Sequence, residues 1–413
     1  MVKHFYTFFL LIGISLYGQN NAVLQAPENI KTILLRSKHT NDYAPIIRLG
    51  DAFIFEFDDL NVDQQEYSYS IEHYDYNWQP SGLVITEYIN GYAADWVRDY
   101  ENSFNTLQPY THYKVIFPNE NTSFKISGNY LLSVFDQNNE KVFSRPFILY
   151  DPLVDVGVSV HKSRDIATLN SKHDVQFTVN YPNLTINNPG QEIKVVVYQN
   201  NDWNPRLDDI KPQFYRGTQL LYRYGDKLSF WAGNEFLFFD TKQIRVATNT
   251  IARVELNGLF NTYLYINEAR ASRPYTLYPD INGNFVIRTI DTDDAALEAD
   301  YSWVHFALEY SGDTTDDIYI YGNFNGWQLT DDNKLSYDAL QKLYTGKMLM
   351  KQGFYNYTYV TANAEKQVNN HAIEGSFYQT EEEYSVLVYY RPFGSRYDQV
   401  IGYGENSSQD LRN

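Results

Sequence analysis

The feature that most constrains this chain is an apolar–polar alternation of period two that recurs along its length, with no helical period sustained over more than about ten residues. Successive side chains of a strand point to opposite faces, so such a pattern buries one face of a sheet. Phe53, Phe55 and Phe57 share a face in this way, as do Tyr67, Tyr69 and Ile71, then Tyr130, Leu132 and Val134, then Phe143, Arg145, Phe147 and Leu149. Val154, Val156, Val158 and Val160 restart the pattern, followed by Val175, Phe177, Val179 and Tyr181, and by Ile193, Val195 and Val197. The alternation predicts an all-β protein. Restarts every ~110 to 140 residues, with short strands and Gly/Asn turns, predict tandem immunoglobulin-like β-sandwich domains. A transmembrane barrel is the architectural rival, but its strands would be more uniform and would not restart.

Lys3 and His4 precede an uncharged apolar run from Phe5 to Leu16, ending in Ser15-Leu16-Tyr17-Gly18, which reads as a secretory signal peptide over residues 1–18. No later stretch could span a bilayer as a helix, so no direct membrane insertion is expected. The expected units are an N-terminal sandwich at 19–151, a second sandwich at 152–290 with a long irregular insertion from Asn201 to Phe239, and a C-terminal unit at 291–413. The acidic stretch from Asp291 to Asp300 is expected to be a solvated connection. There is no cysteine. An exported chain without disulfides depends on burial in domains large enough to be stable by themselves.

Composition narrows the partners. Acids outnumber bases 51 to 33, a formal charge of −18, which disfavours nucleic acid and anionic lipid. Aromatic residues make up 17%, with 38 Tyr and 25 Phe. Either tyrosine fills the faces of many short strands, or it forms an adhesive aromatic surface.

Catalytic chemistry is hard to find. No Gly-x-Ser-x-Gly elbow, Walker loop or His-Glu-x-x-His zinc motif occurs, and without Cys there is no thiolate nucleophile or ligand. The histidines are scattered singly. Asp58-Asp59, Asp208-Asp209 and Asp316-Asp317 could supply paired carboxylates for glycoside hydrolysis, but in so acidic a chain they read as solvated loops. Asp280-Ile281-Asn282-Gly283-Asn284 and Ser311-Gly312-Asp313 read as β-turns, lacking the spaced ligands of a calcium cage. No catalytic residue, cofactor or metal site is expected.

Two stretches go beyond composition. Glu72-His73-Tyr74-Asp75-Tyr76-Asn77-Trp78-Gln79-Pro80-Ser81 is followed by Glu87-Tyr88-Ile89-Asn90-Gly91, then by Asp99-Tyr100-Glu101-Asn102-Ser103-Phe104-Asn105-Thr106. Tyr110-Thr111-His112-Tyr113, Phe117-Pro118-Asn119 and Ser127-Gly128-Asn129-Tyr130 continue the order. This series resembles the type IX secretion system plug proteins of Bacteroidetes. Gln199-Asn200, Lys211-Pro212, Asn234 to Asp240 and Arg396-Tyr397-Asp398 look like the same family's continuation. The resemblance implies a non-enzymatic periplasmic protein, held at the outer membrane by a partner, that closes the inner mouth of the large outer-membrane translocon barrel. Trp78, Tyr88, Trp96, Tyr100 and Trp203 are candidate partner contacts. Trp78, Tyr88 and Trp96 read equally as core residues.

The second stretch is Tyr319-Ile320-Tyr321-Gly322-Asn323-Phe324-Asn325-Gly326-Trp327-Gln328, followed by Lys351-Gln352-Gly353-Phe354-Tyr355-Asn356-Tyr357-Thr358-Tyr359. It is similar to immunoglobulin-like modules that bind glycogen or starch, in which the tryptophan matching Trp327 stacks on glucose. Those modules add a lysine, here Thr358, and a second tryptophan, absent from Thr361-Ala362-Asn363-Ala364. Trp327 is therefore expected to be a vestigial platform packed within its unit. A periplasmic or surface glycan-binding protein stands as the alternative function.

Overall fold

The computed structural model describes residues 23–38, 44–61, 63–312 and 315–411. The expected signal segment lies outside the described residues. The alternating segments form six principal sheets and one two-stranded ribbon. Among the described residues helix is confined to single turns, such as Ile85–Tyr88 and Ala295–Glu298. The chain is all-β, built of immunoglobulin-like sandwiches.

The first sandwich follows the expected pattern. Sheet I orders Ile30–Ser37, Phe53–Asp59, Thr111–Phe117 and Asp99–Asn102; sheet II orders Ile46–Arg48, Lys141–Tyr150, Gly128–Phe135, Ser68–Tyr74 and Ala94–Trp96. Phe53, Phe55 and Phe57 meet Tyr69, Ile71, Tyr130 and Leu132 in the core between them.

The second sandwich is discontinuous. Sheet III joins Asp155–Lys162, Lys172–Asn180, Gln219–Tyr222 and Phe214–Arg216, with Ser229–Trp231 pairing to Lys172–Asn180. Sheet IV orders Asp202–Leu207, Ile193–Gln199, Glu383–Tyr390 and Gln399–Ser407. The last two strands, expected in the C-terminal unit, thus complete the second one: Val195 lies opposite Val388, and Tyr384, Val386, Val388 and Ile401 enter its core.

The strands at Ile251–Asn257 and Leu259–Leu264, expected in the second unit, join Tyr301–Glu309, Leu343–Lys351 and Ser336–Asp338 in sheet VI. Sheet V combines Leu237–Asp240, Gly353–Ala362 and Phe285–Ile287, with Asp317–Tyr321 also on Gly353–Ala362. On these pairings we divide the chain into 23–151, then 152–232 with 383–411, and 233–382 inserted between the halves of the second. Alternation tells which face of a strand is buried and not which sheet it joins, so the pattern alone could not place these strands. The stretch from Asn201 to Phe239, expected to be irregular, holds short strands whose length is too small to show a period. The acidic stretch before Asp300 packs on the first sandwich: the buried Asp300 carboxylate accepts the Leu107 and Gln108 backbone N–H groups at 2.8 and 3.1 Å.

Sheets II and IV are buried on both faces. Leu131 and Ile148 on the outer face of sheet II meet Val196, Tyr198, Leu387, Tyr389 and Val400 of sheet IV, a core shared by two sandwiches. The third sandwich holds the opposite side of the first, where Leu34 joins its core and Asp58 meets Lys351. The Tyr321 hydroxyl donates to Asp202 at 2.8 Å, tying the third sandwich to the second. Each sandwich therefore touches the other two.

Candidate partner-binding edge

Tyrosine is chiefly a core residue here. Tyr69, Tyr113, Tyr130, Tyr198, Tyr222, Tyr301, Tyr359, Tyr384 and Tyr389 are among the largest fully buried side chains. Most of their hydroxyls find an internal acceptor, as Tyr130 does at Ile126 O (2.7 Å) and Tyr389 at Asn129 Oδ1 (2.8 Å). An aromatic that stays in solvent is thus the exception to explain.

Exposed aromatics occur at Phe214, Tyr215, Tyr265, Tyr278, Tyr337 and Phe393, and a further set lies along one flank of the first sandwich. Ala94–Trp96 is the outermost strand of sheet II and Asp99–Asn102 the outermost strand of sheet I. The chain passes between them at Val97, which is buried in the core, so both edges lie along the same flank. Tyr92 is 67% exposed, Trp96 49%, Tyr100 40% and Phe104 70%.

Local chemistry holds this flank in shape. Arg98 donates two hydrogen bonds of 2.7 Å to the two oxygens of Asp95, and Asn121 adds a third at 2.8 Å. The Arg98 hydrogen bond, opposed by partial burial and helped by Asn121, holds the Asp95 carboxyl below its usual range. Tyr100 lies opposite Tyr113 in the ladder and its ring leans on it, with centroids 5.8 Å apart. Beyond the strand, the Phe104 N–H donates to Leu297 O of the third sandwich at 3.0 Å. Asp99, Glu101 and Asn102 are exposed.

The other candidates are placed differently. Trp78 is buried and packs on Trp203, ring centroids 5.3 Å apart, while Trp203 stacks on Tyr198. The two tryptophans thus serve the joint between the first and second sandwiches. Tyr88 is in the first core, its hydroxyl donating to Ile71 O. Trp78 and Tyr88 are buried and Trp203 is half-buried at that joint. Trp96 and Tyr100 remain, joined by Tyr92 and Phe104, which sequence reasoning did not single out. Trp327 is buried with Tyr321, Phe236 and Val360, and a Cβ on Gly283 would strike its ring. No sugar could stack there without unpacking that cluster.

Among the described residues no group of three or more His, Asp or Glu is disposed to hold a metal ion. Of the paired acids, Asp58 is bound to Lys351 and His112, and Asp59 accepts from Tyr67 at 2.8 Å. Both are structural. No helix among the described residues is long and apolar enough to cross a membrane.

Fold and flank together define a body of three welded sandwiches, the first of which carries exposed aromatics along one edge. Residues 30–151 match the first domain of the type 9 secretion system plug protein. A crystal structure of a hypothetical protein from Parabacteroides merdae ATCC 43184 is 31% identical, with a TM-score of 0.90, over 93% of this chain and 98% of that one. The chain thus carries, over residues 30–151, the first domain of the type IX secretion system plug family. The BSP domain of a biofilm-associated protein (6% identity, 93% of this chain and 59% of that one, TM-score 0.16) and three N-terminal domains of the bacteriophage RB49 Hoc protein (10%, 91% and 96%, 0.14) are too dissimilar to carry an argument. No curated protein matches the chain.

Proposed function

We propose that this chain is a non-enzymatic plug that sits in the periplasm at the outer membrane and closes the periplasmic mouth of the large translocon barrel of a type IX secretion system. The first domain of the plug family, carried over residues 30–151, supports the secretion role. The observation that carries the sealing role is the core shared between sheets II and IV, together with the buried Asp58–Lys351 joint on the other side. A barrel wide enough for folded cargo is an open aqueous hole, and its stopper must be broad and must not flex at its own joints. A compact chain of 413 residues has a radius of gyration of about 22 Å, and here its sandwiches are joined through buried contacts. The aromatic flank supplies a rim that can bind and release, because aromatic residues concentrate binding energy in a small area.

Membrane permeability tests this reading. Cells lacking the protein should admit large, normally excluded antibiotics or dyes, and should cease to do so when the barrel is deleted as well. A single deletion no leakier than the parent, or a leak that persists without the barrel, would overturn it. The glycan-binding alternative would need a platform other than Trp327, whose ring is occupied within the fold.

A further inference from the structure

The geometry points to strand addition on the Asp99–Asn102 edge: the flank binds an extended segment of a partner chain in which two basic residues alternate with an apolar one. This inference rests on reading the flank as the partner-binding surface.

Among the described residues Asp99–Asn102 pairs on one side only, with Thr111–Phe117 in antiparallel register, and all four of its residues are exposed. In such a ladder every second residue turns its N–H and C=O to the free side, so this edge offers unpaired backbone groups to a further strand. Exposed edges are an aggregation hazard that proteins commonly blunt with charge, and Asp99 and Glu101 could do no more than that. Blunting does not call for solvent-exposed Tyr92, Trp96 and Phe104 on the same flank, whereas recognition of an extended chain uses both features: main-chain bonds for affinity and alternate side chains for specificity.

The pattern also selects the occupant. Asp99 and Glu101 share one face of the strand and Tyr100 projects from the other. An incoming strand would set two side chains, two positions apart, beside the carboxylates, and would set the residue between them beside Tyr100 and its aromatic neighbours. Opposite charges across a ladder are favourable and like charges unfavourable. Arg98 is committed to Asp95 by two bonds of 2.7 Å, Lys114 stands opposite Asp99 on the paired side of the strand, and His112, opposite Glu101, is engaged with Asp58. A second copy of this chain would place acid against acid, so self-pairing of the edge is disfavoured. The hydrogen bond from Phe104 N–H to Leu297 O anchors the end of the strand on the third sandwich, which limits the ordering cost on binding.

The test uses the whole mature protein and three fluorescein-labelled peptides: Thr-Lys-Val-Lys-Thr repeated twice, the same peptide with Glu for Lys, and the Lys peptide N-methylated at alternate amides. Fluorescence anisotropy should show saturable binding of the first, with the other two weaker by about tenfold or more. The double substitution Asp99→Lys and Glu101→Lys should transfer preference to the Glu peptide. Absence of binding by the Lys peptide at millimolar concentration, binding that survives N-methylation, or an unchanged preference in the double variant would overturn strand addition. If the double variant does not fold, the N-methylation contrast on the unaltered protein decides. Failure here would leave the leak experiment on the plug intact, and failure of the leak experiment would leave the peptide result intact.

Discussion

The Asp58 carboxylate and the Lys351 ammonium meet at 2.7 Å although 293 positions separate them, and neither is open to solvent. His112 Nδ1 contacts the other oxygen of Asp58 at 2.7 Å, and the Tyr301 hydroxyl donates to Asp58 at 2.6 Å. Tyr301 spends its proton on Asp58, so Thr32, 2.6 Å from the same hydroxyl oxygen, must be the donor to Tyr301. Burial pushes the Asp58 carboxyl up, but Lys351 and His112 more than offset it and hold it below the usual range. One carboxylate from the first sandwich thus gathers two donors from the third.

Removing one partner of such a pair leaves an uncompensated buried charge. Lys351→Met should destabilise the chain by about 3 to 5 kcal/mol. Adding Asp58→Asn should restore part of that loss, since no lone charge then remains. Urea unfolding of the single and double variants measures both quantities.

His73 is buried among the rings of Tyr88, Tyr130 and Tyr397, and burial lowers its pKa from 6.5 to about 4. The folded state therefore resists a proton that the unfolded state accepts. Stability should be full above the unfolded value and should fall as pH drops from 6.5 towards 4, by ~3 kcal/mol at most. His73→Phe should flatten this part of the stability–pH curve. Thermal unfolding across that window is the check, and an unchanged slope would place the acid sensitivity elsewhere.

Tyr384, Val386, Val388 and Ile401 belong to the core of the second sandwich although they follow the inserted one. A chain ending at Glu382 should lose two strands of sheet IV and with them the joint to the first sandwich. It should accumulate as an aggregating or protease-sensitive species, with the loss reaching residues 152–232. Limited proteolysis followed by mass spectrometry would show which segments survive. Protection of 152–232 in the truncated chain would contradict the discontinuous sandwich.

Trp327 packs on Tyr321 and Phe236, ring centroids 5.2 and 6.2 Å away. Trp327→Ala should cost about 3 to 5 kcal/mol, and maltoheptaose should not bind saturably to either form. Calorimetric titration together with a melting curve distinguishes a packed ring from a sugar platform. Sugar binding lost in a variant of unchanged stability would restore the glycan reading.

How much was legible in advance follows from what alternation encodes. Phe53, Phe55 and Phe57 declared a buried face by themselves, because period two fixes side-chain direction whatever the strand's neighbours. The unbroken apolar runs Val195-Val196-Val197-Tyr198 and Val386-Leu387-Val388-Tyr389 carry a further message. Alternate members serve the core of the second sandwich and the joint with the first, so both faces are buried. Trp96 and Tyr100 were legible as candidate contacts, but so were Trp78, Tyr88 and Trp203, and nothing in the string separates a ring at a sheet edge from one beneath a neighbouring domain.

The sequence by itself determined that this protein is all-β, that it restarts into several sandwiches, and that it has no thiol chemistry. These follow from side-chain direction and composition, which are local properties. Only the tertiary structure decided that the second sandwich closes with the last strands of the chain, that Trp78 meets Trp203, and that Asp58 meets Lys351. Strand pairing and domain contact are set by the summed burial and hydrogen bonding of segments far apart in the chain, and no local pattern records which distant partner supplies them.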